Sequence, residues 1–138
     1  MSYLIAKSAD GRDISVPLRE PLEIGRGDKD FTIVARTRGD TVSLGITDAT
    51  VSRNHARIYP ESGKLMLKDL GSKNGTLLNS NPLPGSQPGR ESEPVEIREN
   101  SNIKFGCNTI VRIALGEKTI TPEEWKRKPE YKGYRACE

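Results

Sequence analysis

The chain has 138 residues, enough for one domain with an ordinary core and no need of disulfides or a metal. Hydrophobic residues are 33% and charged residues 30%, so the core is thin and the loops are polar. A net charge of +3 is too mild to argue for nucleic acid, and it is compatible with anionic partners.

Cys107 and Cys137 form no framework and complete no metal-ligand spacing; they read as reduced thiols in a cytosolic protein. No apolar run approaches transmembrane length, and Met1 to Lys7 is too short and wrongly flanked for a signal peptide. The expectation is a soluble intracellular protein with no membrane partner.

In chain order, Tyr3 to Ala6 and Ile14 to Pro17 read as short strands joined by the turn Asp10-Gly11-Arg12. Leu22-Glu23-Ile24 is a third strand, ending at Gly25-Arg26-Gly27. Asp28 to Asp40 reads as a long loop, within which Phe31 to Val34 has the composition of an extra strand. Thr41 to Ile46 is the next strand. Ala56 to Tyr59 and Leu65 to Leu70 then make a strand-turn-strand unit around Pro60, Glu61, Ser62 and Gly63. Ser80 to Glu93, rich in Pro, Gly, Ser and Asn, reads as a mobile loop with no core to bury. Pro94 to Ile97, Asn102 to Phe105 and Thr109 to Ala114 complete the strands, with the tight turn Gly106-Cys107-Asn108 between the last two. Frequent turns and no helical period predict an all-β sandwich of about ten to eleven antiparallel-rich strands.

Beyond it, Thr121-Pro122-Glu123-Glu124 has the features of a helix start: a cap, a proline at the first helical position and acids in the first turn. Trp125, Tyr131 and Tyr134 are interleaved with lysines and arginines in a basic tail, a composition that suits either docking on the sandwich or contact with a nucleic acid or an acidic partner. The expected organisation is a domain over residues 1–116 and a helix and basic, aromatic tail over 117–138.

Two polar clusters flank the strand-turn-strand unit. One is Ser52-Arg53-Asn54-His55, the other Gly71-Ser72-Lys73-Asn74-Gly75-Thr76. Antiparallel pairing would place both on adjacent loops at one end of a sheet. Hydroxyls, an amide, a lysine and an arginine then converge with no acid among them, which suits an anion better than a nucleophilic mechanism. Singly, each residue has a plain structural reading: Ser52 as a turn serine, Arg26 as a surface charge, Lys73-Asn74-Gly75 as a turn. With one histidine, no Ser-His-Asp set and no metal cluster, no enzyme is expected, and no cofactor is implied.

Gly25-Arg26, then Ser52-Arg53-x-His55, then Asn74-Gly75-Thr76 and Asn79 resemble, in their order and spacing, the signature of the forkhead-associated (FHA) domain, over about residues 3–115. The resemblance implies a β-sandwich that binds phosphothreonine, in preference to phosphoserine because family members use the methyl group. It implies that Arg26 and Ser52 contact phosphate, that Arg53 helps hold phosphate or peptide, and that Asn74 binds the peptide main chain. It further implies that His55 braces the loop from a Gly25-supported frame and that Gly75 makes the turn. Lys73 stands where the family often has Thr or Ser, a departure that adds charge and loosens geometry. Ala49-Thr50-Val51, before the serine cluster, carries no charge and gives no sign of an acidic requirement in the peptide.

The function so implied is a phosphothreonine-dependent binding module, an adaptor or regulator with a Ser/Thr kinase upstream, in the cytoplasm or, in a eukaryote, the nucleus. The alternative is a phosphate-independent scaffold or nucleic-acid-contacting protein that uses the basic C-terminal tail.

Overall fold

A computed structural model describes residues 2–115. Twelve strands follow one another: β1 (Ser2–Lys7), β2 (Asp13–Pro17), β3 (Leu22–Arg26), β4 (Thr32–Thr37), β5 (Asp40–Thr47), β6 (Ala56–Glu61), β7 (Lys64–Asp69), β8 (Thr76–Leu78), β9 (Asn81–Pro82), β10 (Val95–Ile97), β11 (Asn102–Phe105) and β12 (Thr109–Leu115). They form two six-stranded antiparallel sheets, ordered β2-β1-β12-β11-β8-β9 and β10-β7-β6-β3-β4-β5. The all-β sandwich expected from the sequence is therefore present. The expected helix and tail lie outside the described residues.

Period-two alternation explains why the sheets pack face to face. Leu22 and Ile24 of β3, Ile33 and Ala35 of β4, and Ala56 and Ile58 of β6 enter one core with Leu4, Ile103, Phe105 and Val111 of the other sheet. Fully burying a side chain the size of Ile24 or Phe105 stabilises the fold by about 1.5–3 kcal/mol.

Two segments depart from expectation. Within the interval read as a long loop with an extra strand, Thr32–Thr37 forms β4, paired with β3 through Glu23↔Arg36 to Arg26↔Ile33 and, with a register shift between Thr32 and Val34, with β5 on its other side. Ile33, Val34 and Ala35 are its buried positions, and the surrounding charges, Arg36 among them, obscure the strand in the sequence. Residues 80–93 are also not a coreless loop. Asn81–Pro82 pairs with β8, Leu83 is only 4% exposed within the main core, and Leu70 bridges to Glu91. A single leucine among Pro, Gly and Ser gives no periodic signal, yet it is enough to anchor the segment. Cys107, expected as a reduced thiol, is disulfide-bonded; Cys137 lies outside the described residues.

The anchoring has a measurable consequence. Leu83→Ala should destabilise the protein by about 2–5 kcal/mol, the cost of emptying a buried leucine site. A loss under about 0.5 kcal/mol in urea denaturation, the range of surface substitutions, would show instead that the segment is not packed.

Candidate functional site

Three loops meet at one end of the sandwich: residues 27–31 after β3, 48–55 between β5 and β6, and 70–75 between β7 and β8. Antiparallel pairing sets this convergence, because Ile24 pairs with Ala56 and Ala56 with Asp69. The two polar clusters thus share an end, next to the turn between β11 and β12.

Gly25 lets the first cluster lie against β3. A Cβ there would fall 1.8 Å from the Arg53 carbonyl oxygen, so no other residue fits without moving backbone. The Arg26 N–H then donates to the Ser52 carbonyl at 3.0 Å. Arg36, which the sequence did not single out, closes the contact from β4. Its guanidinium donates to the Arg53 carbonyl and to the Arg26 carbonyl, each at 3.1 Å.

His55 is wholly buried beneath these loops. Its Nδ1 accepts from the Ser52 N–H at 3.0 Å, so the proton of the neutral ring is on Nε2. Nε2–H donates to the Gly75 carbonyl at 2.8 Å. The Gly106 N–H lies 3.2 Å from Nε2 and 3.0 Å from the same Gly75 carbonyl. With Nε2 protonated, that donor belongs to the carbonyl. The ring edge packs on Phe105 at 5.9 Å between centroids. One imidazole thereby joins the Ser52 loop to the Gly75 turn, where Gly75 holds a φ of 84° that favours glycine.

Two buried carboxylates, both missed in the sequence, finish the loops from within. Asp69 accepts from five groups: the N–H groups of Gly71 and Ser72 and the hydroxyls of Ser72, Thr76 and Ser86. Asp48 accepts from the Thr50 N–H at 2.9 Å, the Thr50 hydroxyl at 2.5 Å and the Thr109 hydroxyl at 2.7 Å. Neither acid belongs to the two clusters; each lies just before one, builds its loop and is spent on it. Asp69-x-x-Ser72 and Asp48-x-Thr50 are side-chain-to-backbone turn patterns, the signal that could have found them.

What remains on the outer side of these loops is a donor set. The Ser52 Oγ accepts from the Lys73 N–H at 3.0 Å, which ties the clusters together, and its hydroxyl proton has no acceptor among the described residues. The Arg26 guanidinium lies 5.5 Å from the ring centroid of Phe31 and 3.4 Å from the Ala49 carbonyl. Phe31 is 53% exposed and lies in the left-handed region at φ 58°. Arg53 and Lys73 are exposed, and their charged ends have no ion-pair partner among the described residues. Asn74 is largely buried, and its Nδ2 donates to the Thr50 carbonyl at 2.8 Å. One amide donor that the resemblance assigns to a peptide is thus occupied in tying the loops together. The arrangement brings Arg26 at the end of β3 together with Ser52, Arg53, Lys73 and Asn74 on neighbouring loops, with hydroxyl and cationic donors and no nucleophile-base pair among them.

Burial pushes the Asp48 carboxyl up, but the hydrogen bonds from Thr50 and Thr109 outweigh it and hold its pKa below the ordinary carboxylate value. A lowered folded-state value adds stability above the unfolded pKa of about 4, and that stability is lost as pH falls through the folded value. Asp48→Asn should cost about 1–3 kcal/mol at neutral pH, with the gap to wild type narrowing below about pH 4. Unfolding curves measured across pH that keep a constant gap would contradict this account.

The FHA domain family model matches residues 22–106. An FHA domain-containing protein of Arabidopsis thaliana is 52% identical over 70 residues, covering 51% of this chain and 17% of that protein. The human sarcolemmal membrane-associated protein is 39% identical over 95 residues, covering 67% of this chain and 10% of that protein. The chain therefore spans a small part of the length of these relatives. A solved structure, the kinase-interacting FHA domain of a kinase associated protein phosphatase from Arabidopsis, aligns with a TM-score of 0.55 at 25% identity, covering 86% of this chain and 96% of that one. The fold, the placement of Gly25-Arg26, Ser52-x-x-His55 and Asn74-Gly75 on one loop end, and the family match agree: this chain belongs to the forkhead-associated domain family, whose members are phosphothreonine-binding modules in signalling.

Proposed function

We propose that this chain binds a phosphothreonine-containing protein through Arg26, Ser52, Arg53, Lys73 and Asn74, and acts as an adaptor or regulator downstream of a Ser/Thr kinase. The carrying observation is the Ser52 hydroxyl. Its oxygen accepts from the Lys73 N–H and its proton has no acceptor among the described residues, which leaves that proton for a phosphate oxygen beside two cationic side chains. A phosphothreonine brings nearly two negative charges and three acceptor oxygens, which a neutral threonine lacks. Each charge-assisted bond contributes about 1.5–3 kcal/mol, enough for two or three of them to make binding conditional on phosphate. An open surface site of this kind reaches micromolar affinity, about −8 kcal/mol, in keeping with a reversible contact.

The kinase context draws support from the phosphatase relative, whose FHA domain is kinase-interacting. Among the described residues no helix is long and apolar enough to cross a membrane. We place the chain's action in the cytoplasm, or in the nucleus of a eukaryotic cell, where kinases and their targets meet. Its role is binding, with no turnover of the ligand.

The test is binding to a degenerate phosphothreonine peptide library, with unphosphorylated and phosphoserine versions alongside. Wild type should bind the phosphothreonine set alone, and Arg26→Ala and Ser52→Ala should each weaken it about tenfold to a hundredfold. A folded protein with no phosphate-dependent binding would overturn the proposal.

A further inference from the structure

The outer face of the sheet that carries the site has a second concentration of charge. Glu23 on β3 is paired in register with Arg36 on β4 and with Arg57 on β6, and Arg57 with Lys68 on β7. These residues alternate with the core positions Leu22, Ile24, Ala35, Ala56 and Ile58, so their side chains stand on the outer face. Arg36 and Arg57, with Arg38 from the turn after β4, line a shallow depression of about 470 Å³ together with Glu23.

The pairing on this face is uneven. Lys68 is held by Glu91 at 2.6 Å. Glu23 makes no ion pair with either neighbouring arginine, and Arg36 is turned onto the carbonyls of Arg26 and Arg53. Arg38 and Arg57 are exposed and have no carboxylate partner among the described residues. Arg57 lies 5.7 Å from the Tyr59 ring centroid, an aromatic contact that restrains it on the face. Three arginines against one glutamate leave two positive charges in excess in the depression. Arg36 is the link: the side chain that lines the depression also clasps the Ser52–Arg53 loop. From Arg36 the depression extends along β3 and β4 away from the loops, so an acidic stretch that continues from a ligand at the loops onto this face gains from its positive charge.

We propose that this arginine-lined face is an interaction surface for an acidic segment of the same phosphorylated partner, taking Asp or Glu side chains that flank the phosphothreonine. The inference rests on the phosphothreonine reading above and adds a requirement that reading lacks. The contact is a rim contact in solvent, so its effect is moderate and salt-sensitive.

The experiment compares phosphothreonine peptide libraries extended at one end or the other by a run of Glu or a run of Ser, titrated into wild type and into the Arg38→Ala/Arg57→Ala double variant. Wild type should bind one Glu-extended set roughly threefold to tenfold more tightly than its Ser-extended counterpart, with the difference fading at high salt. The double variant, whose changed side chains lie outside the phosphate-binding set, should keep its affinity for the Ser-extended sets and lose the Glu preference. No Glu preference in wild type, or one that survives in the double variant, overturns the inference while leaving phosphothreonine binding standing. Failure of every phosphopeptide to bind removes both. An oligodeoxynucleotide that binds wild type but not the double variant, with no phosphothreonine present, would make the face a nucleic-acid surface and overturn the inference as well.

Discussion

The structure depends on a buried imidazole. His55 is the chain's single histidine, and it joins the Ser52 N–H to the Gly75 carbonyl across loops from different strand pairs. No group that donates at both ends or accepts at both ends could serve, because one partner is a donor and the other an acceptor; a neutral imidazole meets both. The buried setting makes the arrangement stringent. Losing the ring would leave a backbone N–H and a carbonyl without partners in a low-dielectric region, each costing about 1–3 kcal/mol.

Around that ring the site has two layers with opposite chemistry. The inner layer holds the acids. Asp48 and Asp69 accept from hydroxyls and backbone N–H groups and fix the two loops in shape. The outer layer holds the cations and the Ser52 hydroxyl. Burying the carboxylates under hydrogen bonds keeps their charge on the loops and away from the donors, so one short stretch of chain combines rigid turns with an anion-seeking surface. Gly25 and Arg36 supply the remaining constraint, pressing the Ser52–Arg53 backbone onto β3 from two sides.

Much of this was legible in the sequence because it rests on local signals. The alternation in Ala56 to Tyr59 and Leu65 to Leu70, and the turn residues between them, define a hairpin, and the clusters at its ends follow. Other elements were hidden for physical reasons. In β4 three buried residues in a row, Ile33, Val34 and Ala35, followed by the outward Arg36, give no clear alternation, and only pairing with β3 and β5 on both sides makes the strand evident. Asp69 sits at the end of an apolar run and reads as a solvated charge until five donors converge on it. Two of those donors, the hydroxyls of Thr76 and Ser86, come from residues beyond its immediate turn, so no short motif contains all five. Arg36 joins the site through space from a segment that the sequence presents as loop, and Leu83 packs from a stretch whose composition suggests no burial at all.

The central claim is that a phosphorylated ligand is held at the meeting point of the Ser52 loop and the Gly75 turn. The most direct measurement is a two-dimensional amide NMR titration with a phosphothreonine peptide library. The account predicts that the largest shifts fall on Arg26, Ser52, Arg53, Lys73 and Asn74, with little change for the unphosphorylated peptides. Shifts concentrated on strands away from this end, or equal shifts with and without phosphate, would contradict it.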